Sequence, residues 1–164
     1  MTAENQVFSY QLIKATTENE YVAARELFIE YAKTLNFNLC FQNFDAELAE
    51  LHIMYHEPPG GIFLVKDVGT GEFVGCAGIR KFGDGIAELK RMYIREAHRG
   101  QGLGERLLYL SIDLARELNY EKIRLDTIST MKSAIKLYQG NGFKPIEPYR
   151  ENPDPGALFF ELEL

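Results

Sequence analysis

The sequence has little cysteine: Cys40 and Cys76 are the only thiols in 164 residues, and their spacing fits no metal-ligand pattern. A framework of several disulfides is therefore excluded, and a reducing cytoplasm is the expected setting. Long apolar runs are missing too. None approaches the ~18 residues that cross a bilayer, and Met1–Asn5 lacks the basic-then-apolar order of a secretory leader. Positive charge is not in excess: 18 Lys and Arg stand against 24 Asp and Glu, a net charge of −6. That argues against a dedicated nucleic-acid partner, which needs a basic footprint. There is no internal repeat, low-complexity tract or Pro/Ser-rich linker, so residues 1–164 are expected to form one domain.

What is present is the composition of an ordinary globular chain, 46% hydrophobic and 26% charged, long enough to bury roughly two-thirds of its unfolded surface. The acid is unevenly spread. Residues 1–87 carry 6 basic and 12 acidic side chains, whereas residues 88–164 are balanced. From Lys90 to Arg106 the balance turns locally to +3 through Lys90, Arg91, Arg95, Arg99 and Arg106 against Glu96 and Glu105. A compact basic segment in an acidic protein points to a small anionic ligand, and the acidic first half weakly favours a cationic acceptor.

Hydrophobic spacing predicts the elements. Val7–Ile13 reads as a first strand, and Thr17 with Glu20 forms a possible capping box before a helix carrying Ala24, Leu27, Phe28, Tyr31 and Leu35. A second helix is expected from Phe44 to about Tyr55. Pro58–Gly61 breaks the chain ahead of a hairpin of strands, Ile62–Val68 and Glu72–Phe82, and a further strand, Ile86–Ile94. Gly104–Leu118 is a strongly amphipathic helix. A strand at 122–127, a helix from Met131 to Gly140, and a closing pair, Phe143–Ile146 and Ala157–Leu164, complete the series. The order β-α-α-β-β-β-α-β-α-β-β implies an α/β (α+β) fold, a mixed and mostly antiparallel sheet flanked by about four helices.

The chemistry concentrates in Arg99-Gly100-Gln101-Gly102-Leu103-Gly104, between a strand and a helix. Glycines let the backbone approach a ligand closely, and the helix that starts here adds unpaired N–H groups and a partial positive charge. Together they suit a phosphate or pyrophosphate. A dinucleotide fingerprint fails, because its third glycine would fall on Glu105 or Leu107. A P-loop fails because Glu105-Arg106, not Lys-Ser/Thr, follows Gly104. The remaining pattern, Arg-x-x-Gly-x-Gly, resembles the acyl-CoA loop of the GNAT acyltransferase superfamily. Three further features extend the resemblance over nearly the whole chain. They are the strand Glu88–Ile94 in the place of that family's fourth strand, Ala134–Phe143 as its Ala-x-x-Leu-Tyr-x-x-x-Gly-Phe signature, and the element order.

The resemblance implies an N-acetyltransferase, with acetyl-CoA as co-substrate, an amine-bearing acceptor and no metal. The pyrophosphate would lie on the backbone of Gly100, Gln101, Gly102, Leu103, Gly104 and Glu105, with Arg99 and Arg95 nearby. The pantetheine arm would pair with the main chain of Met92, Tyr93 and Ile94. Tyr138 stands where the family faces the sulfur, and a phenol of pKa ~10 can protonate a departing thiolate. Glu88 is the first candidate base; the alternatives are Asp126, or a water chain or an acceptor that arrives neutral. The family often has a CoA-contacting Asn where this chain has Met131, so Ser129, Thr130 or Ser133 would substitute. A non-catalytic acyl-CoA-binding module and a different acyl donor stay open as alternatives.

Other patterns are weaker. His52 and His56 have a zinc-like spacing, but Ile53 stands where a zincin glutamate belongs, so they read as surface residues. No Gly-x-Ser-x-Gly elbow exists. Phe37, Phe41, Phe44 and Tyr55 are expected mainly in the core, with an acceptor wall as the second reading. Tyr149-Arg150 either touches an acceptor or faces solvent. An edge near Leu164 would allow two copies to pair.

Overall fold

A computed structural model of the chain describes residues 9–35, 38–39 and 43–164. Strand β1 covers Tyr10–Lys14, and the expected start at Val7 lies outside the described residues. Helix α1, Glu18–Lys33, opens with the anticipated capping box: Thr17 Oγ1 accepts from the Glu20 N–H, and the Glu20 carboxylate accepts from the Thr17 N–H. Then follow α2 (Phe44–Ala49), α3 (Leu51–Met54), β2 (Gly61–Asp67), β3 (Phe73–Gly83) and β4 (Ile86–Ile94). After a short 3-10 turn at Glu96–His98 come α4 (Leu103–Glu117), β5 (Lys122–Ile128), α5 (Lys132–Gly140), β6 (Lys144–Pro145) and β7 (Ala157–Glu163).

The strands form one seven-stranded sheet in the order β1-β2-β3-β4-β5-β7-β6, antiparallel at every junction except the parallel pair β4–β5. Side-chain alternation divides the core between its two faces. On one face α4 lays Leu107, Leu108, Leu114 and Ala115 against Val65, Ala77, Ile79 and Leu89, and Tyr138, Phe143 and Phe160 extend that layer. On the other, Ala24, Leu27 and Phe28 of α1 meet Leu51, Tyr55, Ile62, Leu64 and Cys76.

Two departures from the expected pattern matter for the site. The single helix expected from Phe44 to Tyr55 is broken at Glu50 (φ −129°, ψ 33°), giving five α-helices among the described residues where about four were foreseen. On a continuous helix Glu47 and Tyr55 would be separated by ~12 Å of rise. The break brings them together, and the Tyr55 hydroxyl donates to the Glu47 carboxylate. On the outer side of β7 the two-residue β6 pairs through Lys144↔Glu161 and Pro145↔Phe160.

The second departure is in β4. Its register with β3 passes from Cys76↔Tyr93 to Gly78↔Lys90, so β4 carries one extra residue. Arg91 absorbs the bulge with φ 57°, a left-handed conformation unusual for arginine. Ahead of it, the parallel pairing of β4 with β5 stops at Glu88↔Arg124, while β5 continues along β7 to Ile128. The two parallel strands therefore part, leaving a wedge in the middle of the sheet.

Candidate active site

The wedge opens into a groove of about 600 Å³. One wall is the outer half of β4, Met92, Tyr93 and Ile94, whose main chain has no β5 partner there. Its floor is the glycine loop. Gly100 and Gly102 have φ of 78° and 74°, which glycine alone adopts without strain, and a Cβ at either position would meet nothing within 4 Å. Gly102 is the N-cap of the fifteen-residue α4, so the unpaired N–H groups of that helix end at the groove. The opposite wall comes from α5 and the residues before it, Thr130, Met131, Ser133, Ala134 and Leu137.

Of the ten residues expected to hold acetyl-CoA, Met92, Tyr93, Ile94, Arg99, Gly100, Gly102, Leu103 and Gly104 line this groove. Gln101 does not; its amide donates to the Tyr10 hydroxyl at 3.0 Å. The Glu105 side chain does not line it either and accepts from Tyr109 at 2.7 Å. Arg99 donates from Nε to the Ile94 carbonyl at 2.8 Å, and its guanidinium lies 5.9 Å from the Tyr93 ring centroid. Arg95, expected to lend charge, is paired with Glu30 of α1 at 2.7 Å. Beside Met131, Thr130 and Ser133 face the groove, whereas Ser129 Oγ sits against Gly156, where a Cβ would come within 2.3 Å of it.

At the inner end of the groove, across Tyr31, Ile128 and Met131, lies a second and smaller cavity of about 30 Å³. It is polar, with Lys90, Arg91, Asp126, Thr127 and Asn152 in its lining. Tyr138 packs its ring 5.7 Å from Phe143 and is almost wholly buried. Burial, with Tyr31 and Asp126 in electrostatic reach, pushes its phenol well above the ordinary range, so it carries its proton at any working pH. Tyr31 is raised to about 12 for the same first reason.

Glu88 is fully buried at the point where the strands part, and its carboxylate is heavily engaged. Arg80 donates to Oε1 from Nε at 3.2 Å and from Nη2 at 3.1 Å. Tyr149 donates to Oε2 at 2.9 Å, Arg150 also donates to Oε2, and Lys90 Nζ lies 3.9 Å from Oε1. Burial alone would raise the pKa of Glu88, but Lys90, Arg150 and Arg80 outweigh it and hold the carboxyl below the usual range. Tyr149 and Arg150 thus face this carboxylate and tie the loop at 146–156 down over the wedge. Asp126, the second candidate base, accepts from Asn152 at 3.3 Å.

Sequence reasoning missed a network on the α1 face. Glu47, Tyr55 and Arg91 are buried together, with Arg91 Nη2 2.7 Å and Nε 3.2 Å from Glu47 Oε2 and its guanidinium 5.1 Å from the Phe44 ring centroid. The network clamps α2 to the β4 bulge. Tyr55 packs so closely on Gly78 that a Cβ there would fall 2.6 Å from its ring. Lys90, almost entirely enclosed, was also missed. The one available signal was Glu88, Lys90 and Arg91 together in a strand otherwise rich in apolar residues. Of the expected aromatics, Phe37 and Phe41 lie outside the described residues, as does Cys40. His52 and His56 are exposed, and among the described residues no group of three or more His, Cys, Asp or Glu is placed to hold a metal.

The chain matches the model of the acetyltransferase (GNAT) family over residues 24–143. It is 40% identical over 136 residues to an uncharacterized N-acetyltransferase of Schizosaccharomyces pombe, covering 82% of this chain and 83% of that one. Against YjgM, an uncharacterized N-acetyltransferase of Escherichia coli, identity is 35% over 106 residues, 63% of this chain and 62% of that one. Among solved structures, YncA of Salmonella typhimurium, solved with its cofactor acetyl-CoA, superposes with a TM-score of 0.73 over 95% of this chain and 94% of that one, at 20% identity. A parted β4–β5 pair, a glycine loop at the head of a long helix and a match across most of the chain lead to one conclusion: the protein belongs to the GNAT family of acetyltransferases.

Proposed function

We propose that the protein transfers an acetyl group from acetyl-CoA to a primary amine by direct attack in a ternary complex. The observation that carries this reading is the parting of β4 from β5 after Glu88. It leaves the main chain of Met92, Tyr93 and Ile94 beside the glycine loop at one end and a polar cavity at the other. The residues present fit acetyl-CoA. Open space over Gly100 and Gly102, at the head of α4, suits a pyrophosphate. The unpaired edge of β4 suits the amides of a pantetheine arm, which add to it as a short strand would.

The thioester then lies where the strands part. Tyr138 holds a proton for the departing thiolate, and the polar end lined by Asp126, Lys90 and Asn152 receives the acceptor amine and its proton. Glu88 contributes to that proton transfer through a neighbour or a water, because both of its oxygens already accept from Arg80, Tyr149 and Arg150. Cys76 is a poor candidate for an acyl-enzyme. It is fully buried in the α1-side core, its Sγ donates to the Arg91 carbonyl at 3.2 Å, and burial pushes its thiol pKa up.

The test is thiol release from acetyl-CoA with ethanolamine, glucosamine, putrescine, free amino acids and short peptides bearing either a free N-terminus or a free lysine. Turnover with at least one amine, and a product heavier by one acetyl group, is expected. Tyr138→Phe should lower kcat by about 10²-fold with the KM for acetyl-CoA unchanged. Tight CoA binding without turnover on any amine would replace the reading with that of a binding module.

A further inference from the structure

Two buried cations line the small cavity, Arg91, which is paired with Glu47, and Lys90, which is enclosed almost completely beside Glu88. Lys90 projects from the same strand as Glu88, two residues on and so on the same face, just where pairing with β5 ends. We propose that Lys90 is the proton acceptor of the transfer reaction, with Glu88 as its counter-ion and positioning residue. This rests on the acetyl-transfer reading above.

The geometry argues for it in three ways. First, the cavity holds a group the size of an ammonium or a water, and it adjoins the groove across Tyr31, Ile128 and Met131. An amine seated in this cavity would therefore lie against Lys90, Asp126 and Asn152, next to a thioester in the groove. Second, Glu88 is shielded by Arg80, Tyr149 and Arg150, whereas Lys90 stands between that carboxylate and the cavity. Third, the charges around Lys90 suit a group that alternates between neutral and protonated. Arg91 on β4 and Arg150 on the late loop disfavour its charge. Glu88 on β4, Asp126 on β5 and Glu47 on α2 favour it, with the Tyr31 phenol completing the wall. Burial is the largest effect, and with Arg91 it brings the Lys90 pKa down from 10.5 to about 7. Below that pH the amine is charged and cannot accept; above it, it can.

The step balances as follows. The acceptor ammonium gives one proton to Lys90 Nζ and becomes a neutral amine, whose lone pair forms the C–N bond to the thioester carbonyl carbon. The adduct breaks its C–S bond, the thiolate takes the Tyr138 proton, and Tyr138 recovers one from the nitrogen that is becoming an amide. Lys90 then releases its proton to solvent.

The experiment follows kcat/KM against pH for the best amine of the panel, in wild type, Lys90→Met, Lys90→Arg and Glu88→Gln. CoA affinity measured by calorimetry checks that each variant is folded. Wild type should show an inflection near pH ~7. Lys90→Met and Lys90→Arg should each lose about 10²-fold, with CoA affinity retained, and climb towards the ionisation of the amine itself near pH ~10. Glu88→Gln should keep the inflection but move it to lower pH, because the lysine has lost an anion that favoured its charged form. A ¹³Cε-lysine NMR titration should find Lys90 changing state near neutrality. Retained rate and inflection in both Lys90 variants, an inflection abolished by Glu88→Gln alone, or a Lys90 resonance titrating near pH ~10 would each overturn the proposal. Wild type inactive on every amine would remove the transfer reading, and this proposal with it.

Discussion

A buried carboxylate takes its meaning from what surrounds it, and Glu47 and Glu88 illustrate two versions. Each is wholly enclosed, and each is held ionised by cations that outweigh the cost of burial. For Glu47 burial raises the pKa, but the Arg91 charge and hydrogen bonds bring it below 4.5. Because the folded pKa is the depressed one, this stabilisation is complete above pH ~4.5 and is lost as pH falls through the folded value. Glu47→Gln leaves the Arg91 guanidinium buried without its anion and is expected to cost about 3–5 kcal/mol at pH ~7. Thermal melts of wild type and variant from pH ~7 down to ~3 should converge at the acid end; a constant difference across that range would contradict the assignment. The position of Glu88 was legible in the sequence, because it stands at a fixed distance from Arg99. Its partners were not. Arg80 and Arg150 lie 8 and 62 residues away, and only folding of the sheet and the late loop brings them to it. Glu47 and Arg91, 44 residues apart, gave no local signal for the same reason.

At the scale of elements, periodicity and punctuation anticipated most of the fold. The clean stripe of α4, the alternation of β5 and the capping box of α1 are local facts, and each survives within a residue or two. What local patterns could not supply are the features set by tertiary demand. The break at Glu50 serves the Tyr55–Glu47 hydrogen bond, and the β4 bulge at Arg91 is held by that same network. The glycine loop stands between these cases. Its glycines announced a close backbone approach, yet only the fold shows that Gly100 and Gly102 line the groove while the side chains of Gln101 and Glu105 reach to Tyr10 and Tyr109. A branched side chain at position 102 is strained by its φ of 74° and projects into the cofactor space rather than into the core. Gly102→Val should therefore lose CoA binding by at least 10²-fold in calorimetry. The melt should fall by the cost of one left-handed residue, about 1–2 kcal/mol. Retained CoA affinity would refute the loop assignment.

For the whole molecule, the charge split along the chain reads differently once folded. Of the basic run from Lys90 to Arg106, three cations are paired with acids and Arg99 lines the groove. Lys90, Arg91 and Arg95 meet Glu88, Glu47 and Glu30, and Arg99 holds the Ile94 carbonyl. Two of the acids that made residues 1–87 so negative are the partners in these pairs, so the split records how the first half of the chain is fastened to β4. It is weak evidence for a cationic acceptor. The attraction for an anion rests instead on backbone: the α4 N-terminus and two glycines with open space above them. The parted sheet sets a large groove beside a small polar cavity, and its one described thiol, Cys76, is sealed in the core. Direct transfer is the mechanism we propose for that arrangement. The most direct test is a matrix of initial rates over acetyl-CoA and the best amine of the panel. The account predicts double-reciprocal lines that intersect, the mark of a ternary complex; parallel lines, the mark of an acyl-enzyme formed before the amine binds, would contradict it.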